Sequence, residues 1–276
     1  MTATGDIRPG QSVELLKELH ILTRDGKLNQ DSRRKLKQIN HLYRFIEPLL
    51  RELPGDISLV DHGAGKSYLG FLLYDLYFKE LKGKSRIFGI ETREELVGKS
   101  RQLAMRLGFS GMSFLHETVE SSMASPQLPE TVDVVTALHA CDTATDDAIR
   151  FGLAKQAEFL VLVPCCQAEV SAVLNRHKGQ ALKDPLTEIW RHPIHTREFG
   201  SLVTNVLRCL QLEALGYQVT VTELVGWEHS MKNELIVARR LGQANRRAAA
   251  RLGELLKTLG LEDLEGRFFA AEPVLP

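Results

Sequence analysis

The sequence predicts an α/β fold, a mostly parallel sheet with helices on both faces, ended by an antiparallel hairpin. Three observations carry this expectation. Short apolar runs alternate with stretches of helical period, the signature of strands buried on both faces. The first of these runs, DISLVDHG, leads into the glycines of GAG, where a strand gives way to a turn. The last two runs, YQVTVTELVGW and ELIVARR, are separated only by the polar segment EHSMKN. That is too short for the crossover that parallel neighbours need, so the two must pair antiparallel.

The elements follow in order. From Asn29 the stretch NQDSRRKLKQINHLYRFIEPLLREL places Leu36, Ile39, Leu42, Tyr43, Ile46, Leu49, Leu50 and Leu53 at helical spacing. Asn29, Asp31 or Ser32 caps its start, and Pro48 is expected to kink it or to begin a second segment. Its other face carries Arg33, Arg34, Lys37 and His41, either a solvated face or a contact for phosphates. DISLVDHG then reads as a first strand and YLGFLLYDLYFKEL as a helix. SRIFGIE and REELVGKSRQLAMRLG repeat the pattern. MSFLHET, VDVVTALHA and EFLVLVPCC supply three more strands, with the helix ATDDAIRFGLAK between the last two. QANRRAAARLGELLKTLG closes the chain as a helix. The chain thus divides into a helical N-terminal extension (1–54), a sheet-bearing domain (55–242) and a helical tail (243–276).

Composition narrows the function only mildly. The 276 residues are 43% hydrophobic and 25% charged, ordinary for a globular protein. Thirty-five basic residues balance thirty-five acidic ones, so no global charge advertises nucleic acid, although a local basic face is compatible with it. No run approaches the length of a membrane span, and MTATGDIRPGQ lacks the apolar core of a secretory signal. Cys141, Cys165, Cys166 and Cys209 show no CxxC spacing. A reduced, cytoplasmic protein is expected, with no membrane contact, no metal and no obligate protein partner evident.

The chemistry concentrates at VDHGAGKSYLG, residues 60–70. GAGKS resembles the end of a triphosphate-binding loop, but the leading glycine of G-x-x-x-x-G-K-[ST] falls on Val60. The dinucleotide pattern G-x-G-x-x-G matches Gly63 and Gly65 and then meets Tyr68. What remains is an acidic residue and a glycine turn at a strand end: Asp61, Gly63, Ala64 and Gly65. Glu91 ends the next strand, 26 positions after Gly65, where a carboxylate can accept both hydroxyls of a ribose. A tight turn and a ribose-gripping acid without a pyrophosphate cradle suit an adenosine ligand lacking phosphates, and S-adenosylmethionine is the cofactor expected.

On these residues the chain resembles the class I S-adenosylmethionine-dependent methyltransferases over about residues 55–240. The resemblance implies a Rossmann-like, seven-stranded sheet whose last strand is antiparallel. DHGAGKSYLG, LHACDTATD and PCCQ further resemble motifs of the family that includes the eukaryotic tRNA acceptor-stem 2′-O-methyltransferases. Asp142 and Gln167 stand where that family tends to have glycine and histidine. The resemblance implies RNA as acceptor; a small-molecule or protein acceptor, or a non-catalytic cofactor-binding scaffold, are the alternatives.

Ligands of open α/β sheets bind outside the carboxyl ends of the strands. That rule adds Glu117, Thr118 and Leu138 to the cofactor set. His139 reads as a general base or as a hydrogen-bonded residue shaping its loop, and Asp142 as an acceptor-orienting acid or the cap of the following helix. Cys165 and Cys166 read as nucleophiles, metal ligands or packing residues. The long connection before Tyr217 holds His192, His195, Arg197 and Asn205, and the hairpin turn holds Trp227, His229 and Asn233. His229 joins the catalytic candidates, whereas His195, Arg197, Trp227, Asn233 and Lys37 are candidates for acceptor binding.

Overall fold

The structure is a computed structural model that describes residues 7–8, 10–81, 83–138, 143–164, 167–177, 185–224 and 234–269. Seven strands form one sheet in the order β3-β2-β1-β4-β5-β7-β6. They are β1 (Ser58–His62), β2 (Arg86–Glu91), β3 (Met112–His116), β4 (Val134–Leu138), β5 (Phe159–Val163), β6 (Tyr217–Glu223) and β7 (Glu234–Arg240). β1 to β5 pair in parallel, while β7 lies antiparallel between β5 and β6. This is the Rossmann-like arrangement expected from the sequence.

The helices are α1 (Val13–Glu18), α2 (Gln30–Glu52), α3 (Tyr68–Leu76), α4 (Glu94–Leu107), α5 (Val119–Met123), α6 (Ala144–Ala154), α7 (Glu169–His177), α8 (Pro193–Ala214), α9 (Arg246–Thr258) and α10 (Glu265–Phe268). One core joins α1, α2 and α3 to Leu59, Ile87 and Val134 of the sheet. A second packs Val60, Phe88 and Leu160 against Ile149 and Phe151 of α6. The N-terminal helices therefore share the core of the sheet. A third core binds α7, α8, α9 and α10 together through Val173, Leu207, Leu252 and Phe268. Among the described residues no helix is long and apolar enough to cross a membrane.

Two local expectations are corrected. α2 runs unbroken through Pro48, because the proline lies in its last turns and the helix is clamped by buried Tyr43, Ile46 and Leu50. Its start is capped by Asn29, whose Oδ1 accepts the Ser32 amide at 2.7 Å. The cap position of α6 falls on Thr143 rather than on Asp142.

Chain direction places α8. The helix turns at Leu215 and Gly216 into β6, which is parallel to β5, so the N-terminus of α8 points toward the carboxyl edge.

Candidate cofactor site and acceptor edge

The site is built where β1 and β2 end. The amide of Ala64 donates to the carbonyl of Ile90 at 2.9 Å, extending the ladder between the strands into the turn. Gly63 and Gly65 take left-handed φ values of 66° and 58°, which glycine adopts without steric cost. A Cβ on Gly65 would lie 4.0 Å from Oε2 of Glu91, so the missing side chain opens the space before that carboxylate. Glu91 itself is buried, and its Oε2 accepts the Gly65 amide at 2.8 Å. The acid and the glycine turn, 26 residues apart in sequence, are in direct contact.

Three further donors crowd Glu91. The Arg93 amide and Nε donate to Oε1 at 3.0 Å each, and Nη2 donates to Oε2 at 3.1 Å. Burial pushes the carboxyl up, but the Arg93 side chain, the Arg93 amide and the Gly65 amide outweigh it and hold Glu91 below the usual carboxylate range. Glu91 is thus an anion at neutral pH.

Asp61 lies beneath the turn rather than in it. Its Oδ1 accepts the Thr136 hydroxyl at 3.0 Å, and its other oxygen faces the Ser67 hydroxyl at 3.5 Å. The Gly70 amide, an orphan donor in the first turn of α3, also bonds it. Ser67 starts that helix in the left-handed region (φ 52°) and makes no side-chain cap, so Asp61 does the capping from the strand. Gly70 is required here, because a Cβ would stand 2.6 Å from the Ser67 hydroxyl. Burial pushes the Asp61 carboxyl up to about 6 against these three bonds. Its neighbour His62 packs on Phe151 with neither ring nitrogen hydrogen-bonded, and burial, aided by Arg150, pulls its imidazole down to about 4.

The other predicted cofactor residues surround the edge. Glu117 accepts the Ser125 hydroxyl at 2.8 Å on one oxygen, while the other is buried without a partner. Thr118 caps α5 in a reciprocal box with Ser121. Leu138 is half-buried at the end of β4. His139, Asp142, Cys165, Cys166, Trp227, His229 and Asn233 lie outside the described residues, as does Cys141. Cys209 is described: burial pushes its thiol up to about 12, which makes it an inert packing residue.

The β4, β5 and β7 side of the edge holds a polar network that sequence reasoning missed. Arg208 of α8 is fully buried, and its Nε and Nη2 donate to the two carboxylate oxygens of Asp146 at 2.7 Å each. Its Nη1 donates to Asn205 Oδ1 at 3.1 Å. Asn205 also accepts from Gln167 Nε2 at 3.1 Å and donates to Glu234 Oε2 at 2.6 Å. Ser201 donates to Gln167 Oε1 at 2.6 Å. Asp146 follows β4, Gln167 follows β5 and Glu234 opens β7, so one helix face anchors three connections at the carboxyl edge. Asn205, on the long connection before β6, is 4% exposed inside this network. The signal was present, because Ser201, Asn205 and Arg208 recur at helical spacing on the face that also buries Thr204, Leu207 and Gln211.

His195 and Arg197 are exposed in the first turns of α8, with Arg197 paired to Glu198 at 2.9 Å and His195 edge-on to His192. Lys37 is exposed on α2, beside exposed Arg33. None of the three contacts the glycine turn through a described hydrogen bond.

The chain is 24% identical over 233 residues to the human glutathione S-transferase C-terminal domain-containing protein, covering 78% of this chain and 34% of that relative. The bovine form is 26% identical over 167 residues, 59% of this chain and 24% of the relative. The chain thus spans only a quarter to a third of the curated relatives it matches. Among solved structures, a candidate O-methyltransferase of Klebsiella pneumoniae superposes with a TM-score of 0.51 at 12% identity, over 85% of this chain and 92% of that one. A magnesium protoporphyrin IX methyltransferase of Synechocystis, solved with bound S-adenosylhomocysteine, gives 0.44 at 15% identity, over 82% and 93%. Residues 34–173, about half of the chain, match a family model described as a methyltransferase domain. The chain belongs to that methyltransferase-domain family.

Proposed function

We propose that this chain is an S-adenosylmethionine-dependent methyltransferase that acts on RNA and holds its cofactor by the ribose. In this reading Glu91 accepts the two ribose hydroxyls while Gly63, Ala64 and Gly65 bring the backbone close to the adenosyl group. Glu117 and Thr118 stand on the adenine side and Leu138 lines the edge. Asp61 contributes from below by fixing the turn onto α3. The cofactor supplies an electrophilic methyl group already activated on sulfonium, so the chain's task is chiefly alignment and exclusion of water. His139, next after β4, takes the acceptor proton, with Asp142, Cys165, Cys166 and His229 on neighbouring connections.

One observation carries the RNA reading. The three motifs of the resemblance fall at the carboxyl ends of the adjacent strands β1, β4 and β5: GAG follows β1, LHACDTATD begins at the last residue of β4, and PCCQ follows β5. Exposed Lys66 beside the turn, Arg33 and Lys37 on α2, and His195 and Arg197 on α8 supply positive charge for phosphates. Trp227 and Asn233 would complete the base-binding wall.

The test is transfer of a labelled methyl group into a cell extract followed by fractionation. Label in RNA, with binding that falls as salt rises, is the expected result. Label confined to protein or small molecules refutes the RNA acceptor. Cofactor binding without transfer to any fraction indicates a scaffold.

A further inference from the structure

We propose that Arg93 is a built-in competitor for the cofactor's ribose, a latch whose guanidinium fork occupies the positions the two hydroxyls must take. The proposal rests on the reading of Glu91 as the ribose carboxylate. An ionised carboxylate offers about four lone-pair sites. Two are filled by donors the backbone fixes, the amides of Gly65 at 2.8 Å and Arg93 at 3.0 Å. The remaining site on each oxygen is taken by one arm of a single guanidinium, Nε on Oε1 at 3.0 Å and Nη2 on Oε2 at 3.1 Å. The Thr92 hydroxyl adds a longer contact to Oε1 at 3.3 Å. A vicinal diol presents two donors with nearly the spacing of this fork, so the diol and the guanidinium cannot be held at once.

Geometry also says which partner yields. Glu91 is anchored by backbone and 8% exposed, whereas the Arg93 side chain is 66% exposed and, among the described residues, is held only through this pair. Nη2 of Arg93 lies 3.7 Å from the place a Gly65 Cβ would fill, so the guanidinium lies across the space opened by that glycine. Swinging it into solvent clears the space and leaves Glu91 desolvated, with two lone pairs facing the ligand. While no ligand is bound, the same arginine keeps the buried anion paired.

The experiment measures calorimetric affinity of S-adenosylmethionine and S-adenosylhomocysteine for the native chain, Arg93→Gln and Glu91→Ala. Because the arginine of this pair is 66% exposed, its hold on Glu91 is weakened by solvent, and Arg93→Gln is expected to tighten both ligands about two- to fivefold. S-adenosylhomocysteine lacks the sulfonium charge, so an equal gain for both identifies competition for Glu91. A gain for S-adenosylmethionine alone would reduce Arg93 to a distant repelling charge and overturn the latch. Unchanged or weaker binding of both overturns it as well. Added salt loosens an exposed ion pair, so the native chain should bind S-adenosylhomocysteine more tightly as salt rises, and Arg93→Gln should not. Should Glu91→Ala leave affinity intact, the ribose reading itself falls, separately from the latch.

Discussion

Replacing Arg208 with methionine strands a buried carboxylate. Arg208 has no exposed side-chain surface and Asp146 only 10%, so the two 2.7 Å bonds between them lie out of reach of bulk water. Breaking such a pair from one side costs about 3–5 kcal/mol, because the remaining charge loses its bidentate partner in a place with little hydration. In a domain of this size that lowers the thermal midpoint on the order of 10 °C. The double variant Arg208→Met/Asp146→Leu removes both charges, and most of the loss should return, since an apolar pair of similar volume replaces a buried ion pair at little cost. Urea denaturation of the native chain, both single variants and the double gives the coupling directly. Calorimetry with S-adenosylhomocysteine adds a second readout: affinity should hold, because Gly65 follows β1 and Glu91 ends β2, away from α8. A single-variant loss below about 1 kcal/mol, or a double variant no better than Arg208→Met, would refute the argument that this pair anchors the edge.

Two further outcomes follow from neighbouring parts of the structure. Asp61 holds its proton up to about 6 in the folded chain against an ordinary 3.8, so this group alone lowers stability as pH rises through that window. His62, pulled from 6.5 down to about 4, binds fewer protons folded than unfolded and alone raises stability as pH rises through its window. The slopes oppose, each at most about 1.4 kcal/mol per pH unit. Asp61→Asn should therefore lose stability on acidification from about pH 6 to 5 and His62→Phe should gain it; urea midpoints with the same pH slope in both variants would contradict this. Gly200→Ala should cost about 1–3 kcal/mol, because its Cβ would meet the Ser171 backbone nitrogen at 2.9 Å and force α7 from α8. Unchanged thermal stability would show that these helices can part without loss.

Much of this architecture was legible because each strand announced itself by local means. SRIFGIE and EFLVLV are β-branched and aromatic runs ended by turn residues, and the six residues of EHSMKN left β6 and β7 no parallel option. The meeting of Glu91 with the glycine turn was legible for a related reason, since consecutive βα units put the ends of β1 and β2 side by side. Other features depend on which side chains meet across long sequence separations. Asp61 reads from the sequence as part of the glycine turn, but its bond to Thr136, 75 residues away, is not legible there. Arg208 and Asp146 are 62 residues apart, and no periodicity in either helix identifies its partner. Arg93 is not legible as part of the site, because an arginine opening a helix reads as an ordinary solvated cation until its distance to Glu91 is known.

The most direct measurement is the affinity of folded Glu91→Ala for S-adenosylhomocysteine. Loss of two charge-assisted bonds to the diol should weaken binding on the order of a hundredfold, with urea stability recorded alongside to show that the turn persists. Binding as tight as that of the native chain would mean that the adenosyl group is held elsewhere.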